Sequence, residues 1–261
     1  MDLKVGSIFQ SGDRAILVFG VSEYTDSFTE SKKQSGIGIN LETGQVDSVN
    51  QYAYPVRSFD DLSETQLETF SHYYPILRAM LKTSTSMVTI SGKARSGKDT
   101  LADEIVNSRS YKKLPLATPI KQIHSIIYGQ LDIKDRSGLI LIGETMCEKD
   151  PHTWIKIWLR EAIKHFTKGD KKKFVISDVR KPSEFTFFKS MGAFSVRIIA
   201  DEEERRKIIA RKDGKEALKH LDDKTESYVD SFDTDMVLYN GYDQKYFEDI
   251  GMVLKRLTNE G

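Results

Sequence analysis

The chain has 261 residues, an apolar fraction of 39%, and 39 Lys plus Arg against 39 Asp plus Glu, for a formal net charge of +0. That composition excludes intrinsic disorder, because 13 Phe and 11 Tyr supply surface to bury, and the length allows one large domain or two unequal ones. A lone cysteine, Cys147, excludes an intramolecular disulfide framework and any Cys-based zinc site. No run reaches the roughly 18 apolar residues of a membrane span and Met1-Asp2-Leu3-Lys4 opens no signal peptide, so a cytoplasmic protein is expected.

The neutral sum hides two unlike parts. Residues 1 to 85 hold seven basic and eleven acidic side chains, a net −4, which leaves +4 for the remainder. Ala15 to Phe19 and Gly36 to Asn40 are β-type runs between turn-rich segments, and Glu42-Thr43-Gly44 reads as a hairpin tip leading into Gln45 to Val49. A helix follows, since Ser63 and Gln66 make a capping box and Leu67, Phe70, Tyr74, Leu77 and Leu81 recur at helical spacing, with a kink expected at Pro75. The polar run Lys82-Thr83-Ser84-Thr85-Ser86 reads as a linker. The expected organisation is a small β-rich (α+β) accessory unit over 1–85 and a second unit over 86–261.

From Met87 the rhythm changes to strands alternating with helices, which predicts an α/β fold with a mostly parallel sheet flanked by helices. Met87 to Ile90 is a strand, followed by a glycine-rich turn and a helix from about Asp99 to Asn107. Lys112 to Leu116 reads as the next strand, and Ile120, Ile123 and Ile127 mark a helix. Helical pattern returns over Leu139 to Met146 and Thr153 to Phe166. The remaining strand candidates are Phe174 to Ser177, Phe194 to Ile199 and Met236 to Tyr239.

Gly92-Lys93-Ala94-Arg95-Ser96-Gly97-Lys98 matches the first seven positions of the nucleotide-binding pattern G-x-x-x-x-G-K-[ST], between a predicted strand and a predicted helix. Glycines let the backbone turn its N–H groups toward a phosphate, and the helix presents its positive end to the anion. Lys98 would reach the β and γ phosphates. Asp99 stands where Ser or Thr usually holds magnesium, with Thr100 next, and either could take that place. The strand Phe174 to Ser177 delivers Asp178 to the carboxyl edge of the sheet; Arg180 has the chemistry of a bidentate phosphate clamp and Glu184 could hold it.

With these residues in view, the chain from Met87 onward resembles the bacteriophage deoxynucleoside monophosphate kinases, relatives of the adenylate-kinase-like P-loop kinases. Ser91 to Thr100 is similar to that family's phosphate loop, including the Asp after the Lys. Leu116-Ala117-Thr118-Pro119-Ile120-Lys121 resembles its L-A-x-P-I-K segment, which implies Lys121 at the monophosphate site. Arg136 with Leu139 to Gly143 resembles the segment whose arginine binds the substrate phosphate, and Trp154 corresponds to an aromatic at the nucleoside pocket. Asp178-Val179-Arg180 with Glu184 is similar to the D-x-R-x-x-x-E motif, and Thr225-Glu226 with Asp235 to Asn240 to the closing elements. Two positions depart from the family pattern: Ile140, where members can carry a base-directed glutamine, and Asp223, where a histidine is usual. Residues 1 to 85 have no counterpart in the short members.

The resemblance implies transfer of the γ-phosphoryl group of ATP, with Mg2+, to a deoxynucleoside monophosphate. Lys98, Arg136, Asp178 and Arg180 would be the catalytic residues, and Asp178 with Asp99 or Thr100 would serve the metal. Small nucleotides are the expected partners; the −4 of the first unit argues against nucleic acid, and a homodimer stays open. Arg205, Arg206, Arg211 and Lys212 fall where such enzymes carry a mobile lid, and equally read as a solvated helix with Glu to Arg pairs. Trp158 and Cys147 read as core, Lys171 to Lys173 as a solvated turn. The competing functions are a P-loop kinase for another phosphate ester, of the phosphomevalonate or dephospho-coenzyme A type, and a non-catalytic ATP-binding regulatory module.

Overall fold

Residues 3–26, 29–82, 85–129, 135–168, 173–214, 218 and 227–259 are described by a computed structural model, which arranges them as two five-stranded sheets joined through helices. The first sheet is antiparallel and comprises β1 (Ile8–Ser11), β2 (Arg14–Thr25), β3 (Lys32–Asn40), β4 (Val46–Asn50) and β5 (Tyr54–Pro55), in the order β4-β3-β2-β1-β5. Its long strand β2 is buried on both faces: Leu17 and Phe19 share one core with Ile37 and Ile39, whereas Ile16 and Val18 pack with Phe9 and Val49 on the other. The register of β2 on β3 shifts between Val18 and Gly20, a bulge that bends the strand where it meets a helix of the second layer.

Helix α1 (Glu64–Met80) starts on the predicted capping box, with Ser63 Oγ accepting from Gln66 N–H at 3.2 Å and Ser63 N–H donating to Gln66 Oε1 at 2.9 Å; it runs on through Pro75. The segment expected to be a linker differs from that reading. Thr85 and Ser86 are buried, with Tyr111 Oη donating to the Thr85 carbonyl and Phe174 N–H to that of Ser86; residues 83 and 84 lie outside the described residues.

The second sheet comprises β6 (Met87–Gly92), β7 (Tyr111–Lys113), β8 (Lys173–Ile176), β9 (Phe194–Ala200) and β10 (Met236–Asn240), all parallel, in the order β10-β9-β6-β8-β7. Strand β7 is shorter than expected and gives way at Leu114 to a loop. Around the sheet lie α2 (Lys98–Ser108), α3 (Thr118–Tyr128), α4 (Arg136–Lys149), α5 (Thr153–Thr167), α6 (Pro182–Ser190), α7 (Glu202–Lys212) and α8 (Gln244–Asn259). Coverage on both faces explains the apolar strands: every residue of β6 is buried. Val88 and Ile90 pack with Leu101, Ile105 and Val253 on one side. Met87, Phe174 and Ile176 pack on the other with Trp158, Phe187 and Phe188 and, continuously, with Leu17 and Phe19 of the first sheet. Trp158 is core, as expected. The carboxyl ends of β6 and β8 point to one edge, the usual position for ligands in such sheets.

Candidate functional site

The turn after β6 is built by exclusion of side chains and by outward capture of carbonyls. Gly92 has φ +149, and a Cβ there would lie 2.6 Å from the Ile198 carbonyl oxygen, so only glycine fits. Gly97, at φ +99, lets the chain enter α2 at Lys98. Five successive carbonyls between these glycines and the helix each accept a donor from the rest of the protein. Lys98 Nζ donates to Lys93 O at 2.6 Å, Arg205 Nη1 to Ala94 O at 3.2 Å and Tyr242 Oη to Arg95 O at 2.9 Å. Asn240 Nδ2 donates to Ser96 O at 3.0 Å and Tyr246 Oη to Gly97 O at 2.9 Å. With its carbonyls held in this way the loop keeps its amide side for an anion at the helix N-terminus. The buried Ser96 Oγ has no hydrogen-bond partner among the described residues, which marks polar capacity that the protein itself leaves unused.

Cations converge from the opposite wall. Asp135 caps α4 by accepting from Gly138 N–H at 2.9 Å and meets His124 Nε2 of α3 at 3.0 Å, and this junction fixes Arg136 at the start of α4. Asp178, just past β8, accepts from Leu116 N–H at 2.9 Å and Ala117 N–H at 2.8 Å, so its carboxylate pins the turn that begins α3 and carries Lys121. Glu184 does the same for α6: one oxygen accepts from Arg180 N–H at 2.8 Å and Lys181 N–H at 3.0 Å. Both acids are hidden enough for burial to raise their pKa against the effect of those N–H groups, Glu184 to about 7. Glu184 therefore holds Arg180 through its backbone N–H.

Between the two walls lies a cavity of about 680 Å3, lined by Ala94 through Thr100, Lys121, Arg136, Gly143, Trp154, Asp178, Arg180 and Glu184. Trp154 is buried, and its indole N–H donates to the Gly143 carbonyl at 3.1 Å, which orients the ring as a wall. Among the other residues singled out by sequence, Gly92 shapes the loop from behind and Lys93 pairs with Asp230 at 2.8 Å. Arg205 is buried under the loop, bonded to Glu202 and Ala94, and Arg206 pairs with Glu202 on the surface; the α7 side chains on the cavity are Ile208 and Lys212. Thr225, Glu226 and Asp223 lie outside the described residues. Asp235 ties β10 to β9 by accepting from Ser195 N–H and Oγ. Several contributors carried no sequence signal: Lys113, the ion pair Lys181 to Glu144 at 2.8 Å, the loop-capping Tyr242 and Tyr246, and Asp213, whose single carboxylate meets both Arg95 and Arg136.

No group of three or more His, Cys, Asp or Glu suited to a metal occurs among the described residues. Magnesium in phosphoryl-transfer sites commonly takes only one or two carboxylates beside substrate phosphates, and the donors here fit that pattern. Asp99 and Thr100 open α2 on the cavity wall, with the largely exposed Asp99 carboxylate 2.8 Å from Lys113 Nζ.

Residues 86–147 match the model of the deoxynucleotide monophosphate kinase family, which bears out the resemblance over the phosphate loop, the Lys121 segment and α4. No curated protein matches. Among solved structures, the "putative kinase" of Chloroflexus aurantiacus J-10-fl is 13% identical, with a TM-score of 0.45 over 69% of this chain and 99% of its own. TT1252 from Thermus thermophilus is 19% identical, with a TM-score of 0.41 over 67% of this chain and 96% of its own. The family match supports a kinase. No described helix is long and apolar enough to cross a membrane.

Proposed function

We propose that the protein transfers the γ-phosphoryl group of ATP to a deoxynucleoside monophosphate, giving the diphosphate and ADP. The observation that carries the reading is a cavity whose lining brings the glycine-rich loop and Lys98 together with Lys121, Arg136 and Arg180. Two anions must meet in line in such a reaction, and a protein contributes chiefly by positioning them and offsetting their charge. Lys98 and the loop amides would hold the donor phosphates; Lys121, Arg136 and Arg180 would hold the acceptor phosphate, with Trp154 as a wall of the nucleoside pocket. Asp178 and Glu184 act through the backbone turns they fix. Asp99 or Thr100, with Asp178, would hold a magnesium ion brought with the nucleotide, and that ion would supply charge neutralisation at the phosphates. The division into an accessory unit, residues 1–85, and a kinase body, residues 86–261, is part of this proposal, with the accessory unit as a support for the site.

The test is ATP consumption by the purified chain against each deoxynucleoside monophosphate in turn, followed by other phosphate esters. Turnover of one or more of the deoxynucleotides is expected. Turnover confined to a different phosphate ester would overturn the assignment.

A further inference from the structure

Asp213 caps the C-terminus of α7, its N–H donating to the Ile209 carbonyl at 2.8 Å. A carboxylate there meets the negative end of the helix macrodipole, an unfavourable position, whereas the preceding Arg211 and Lys212 are of the favoured sign. What offsets this is a pair of guanidinium groups from two other elements. Arg95 of the phosphate loop grips the carboxylate with both Nε, at 3.0 Å, and Nη2, and Arg136 of α4 reaches the same Oδ2 through Nη2 at 2.8 Å. The Asp213 side chain is 2% exposed and lies behind the cavity wall, while Arg95 and Arg136 both line the cavity. Hydrogen bonds from Arg95, against the opposing effect of burial and with help from Arg136, hold its pKa down to about 2, so the bridge is charged throughout the working range. Arg95 sits at φ +61, in the left-handed region disfavoured for a non-glycine residue, and the buried Arg136 Nε has no partner among the described residues. Arg95 is thus held in a backbone conformation that its own local structure would not select.

We propose that Asp213 is a positioning residue that fixes the donor-side Arg95 and the acceptor-side Arg136 to one another, setting the spacing of the two phosphate subsites. The inference rests on the kinase reading above and assigns a role within it to a residue that touches no substrate. Misplacing a reacting group by about 1 Å can cost on the order of 10²-fold in rate, so the effect falls on kcat more than on either KM.

The experiment compares the full-length wild type with Asp213→Asn, Asp213→Ala and Asp213→Glu, each alone and in an Arg136→Ala background, with thermal unfolding as the control for folding. The expected result is a fall in kcat of about 10²-fold for Asp213→Asn, partial recovery with Asp213→Glu, and little further loss when Asp213→Asn is added to Arg136→Ala. A folded Asp213→Asn variant within about twofold of wild-type kcat, or effects that simply add in the double variant, would overturn the proposal. Should Asp213→Ala not fold, the nearly isosteric Asp213→Asn decides. Failure of the deoxynucleotide reading shows separately, as wild-type protein that turns over no deoxynucleoside monophosphate. The same variants are then read on whichever acceptor the screen returns, or on ATP hydrolysis, with the same two outcomes.

Discussion

The two sheets have five strands each yet relate to the cavity in opposite ways. The parallel sheet ends in it: the phosphate loop follows β6 directly and Asp178 follows β8. The antiparallel sheet contributes no described residue to its lining. It contributes support instead. Val21 N–H donates to Ser190 Oγ at 2.7 Å, Glu23 N–H to Thr186 Oγ1 at 2.8 Å, and Ser22 Oγ to the Ser183 carbonyl at 3.0 Å, so one edge of β2 is stitched along α6. Helix α6 begins just after Arg180 and Lys181, and its Glu184 holds both backbones. One sheet ends in the cavity and the other fixes a helix that begins beside it. The shared core running from Leu17 and Phe19 to Trp158 and Phe187 makes the support stiff.

The largest way to break this division is on the chemical side. Lys98→Ala removes the cation that reaches across the loop, and kcat is expected to fall by about 10² to 10³, the loss typical of one preorganised charge-stabilising group, with little change in unfolding temperature. Normal turnover in a folded variant would remove Lys98 from the mechanism. The matching change on the supporting side is Gly20→Val. A Cβ at Gly20 would stand 2.4 Å from the buried Phe187 ring, so β2 and α6 must separate. Overpacking of this kind costs about 1–3 kcal/mol or more, read by denaturant unfolding. In the fraction that folds, the acceptor KM should rise more than that for ATP, because α6 serves Arg180 and not the phosphate loop. Equal losses at both substrates would dissolve the contrast between the sheets.

How far the fold could be read from the chain follows the same division. The strand, loop and helix around Gly92 to Thr100 announce themselves because the glycine and lysine spacing of the nucleotide-binding pattern is local in sequence. The alternating strands and helices after Met87 follow from hydrophobic period. The capping box at Ser63 is likewise a local signal. Helix α6 gave none: Phe185, Phe187 and Phe188 crowd it with apolar residues on several sides, since it is packed between two sheets, and no 3.6-residue stripe remains to be seen. Thr85 and Ser86 look like a linker by composition and are buried because the strands beside them take their carbonyl hydrogen bonds. Asp213, Tyr242 and Tyr246 are distant in sequence from the loop residues they hold. Such long-range struts obey no spacing rule, and only the folded chain brings them together.

The finest test sits at the joint between the two regions. Burial raises the Glu184 pKa from an ordinary 4.5 to about 7, against the lowering influence of the Arg180 and Lys181 N–H groups. The folded protein therefore binds this proton more tightly than the unfolded chain does. Its contribution to stability is full below pH 4.5 and is lost progressively as pH rises toward 7, beyond which the deficit is constant. Glu184→Gln keeps an oxygen for both N–H groups and carries no titration. The stability difference between wild type and variant should then shift by up to about 3 kcal/mol in favour of the variant between acid and neutral pH, measured by urea unfolding at a series of pH values. A difference that stays flat with pH would mean that the carboxyl titrates as in water and that the joint at α6 is open to solvent. A difference that rises as described, with acceptor KM tracking it and ATP KM unmoved, would locate the support of the antiparallel sheet at the acceptor side of the cavity.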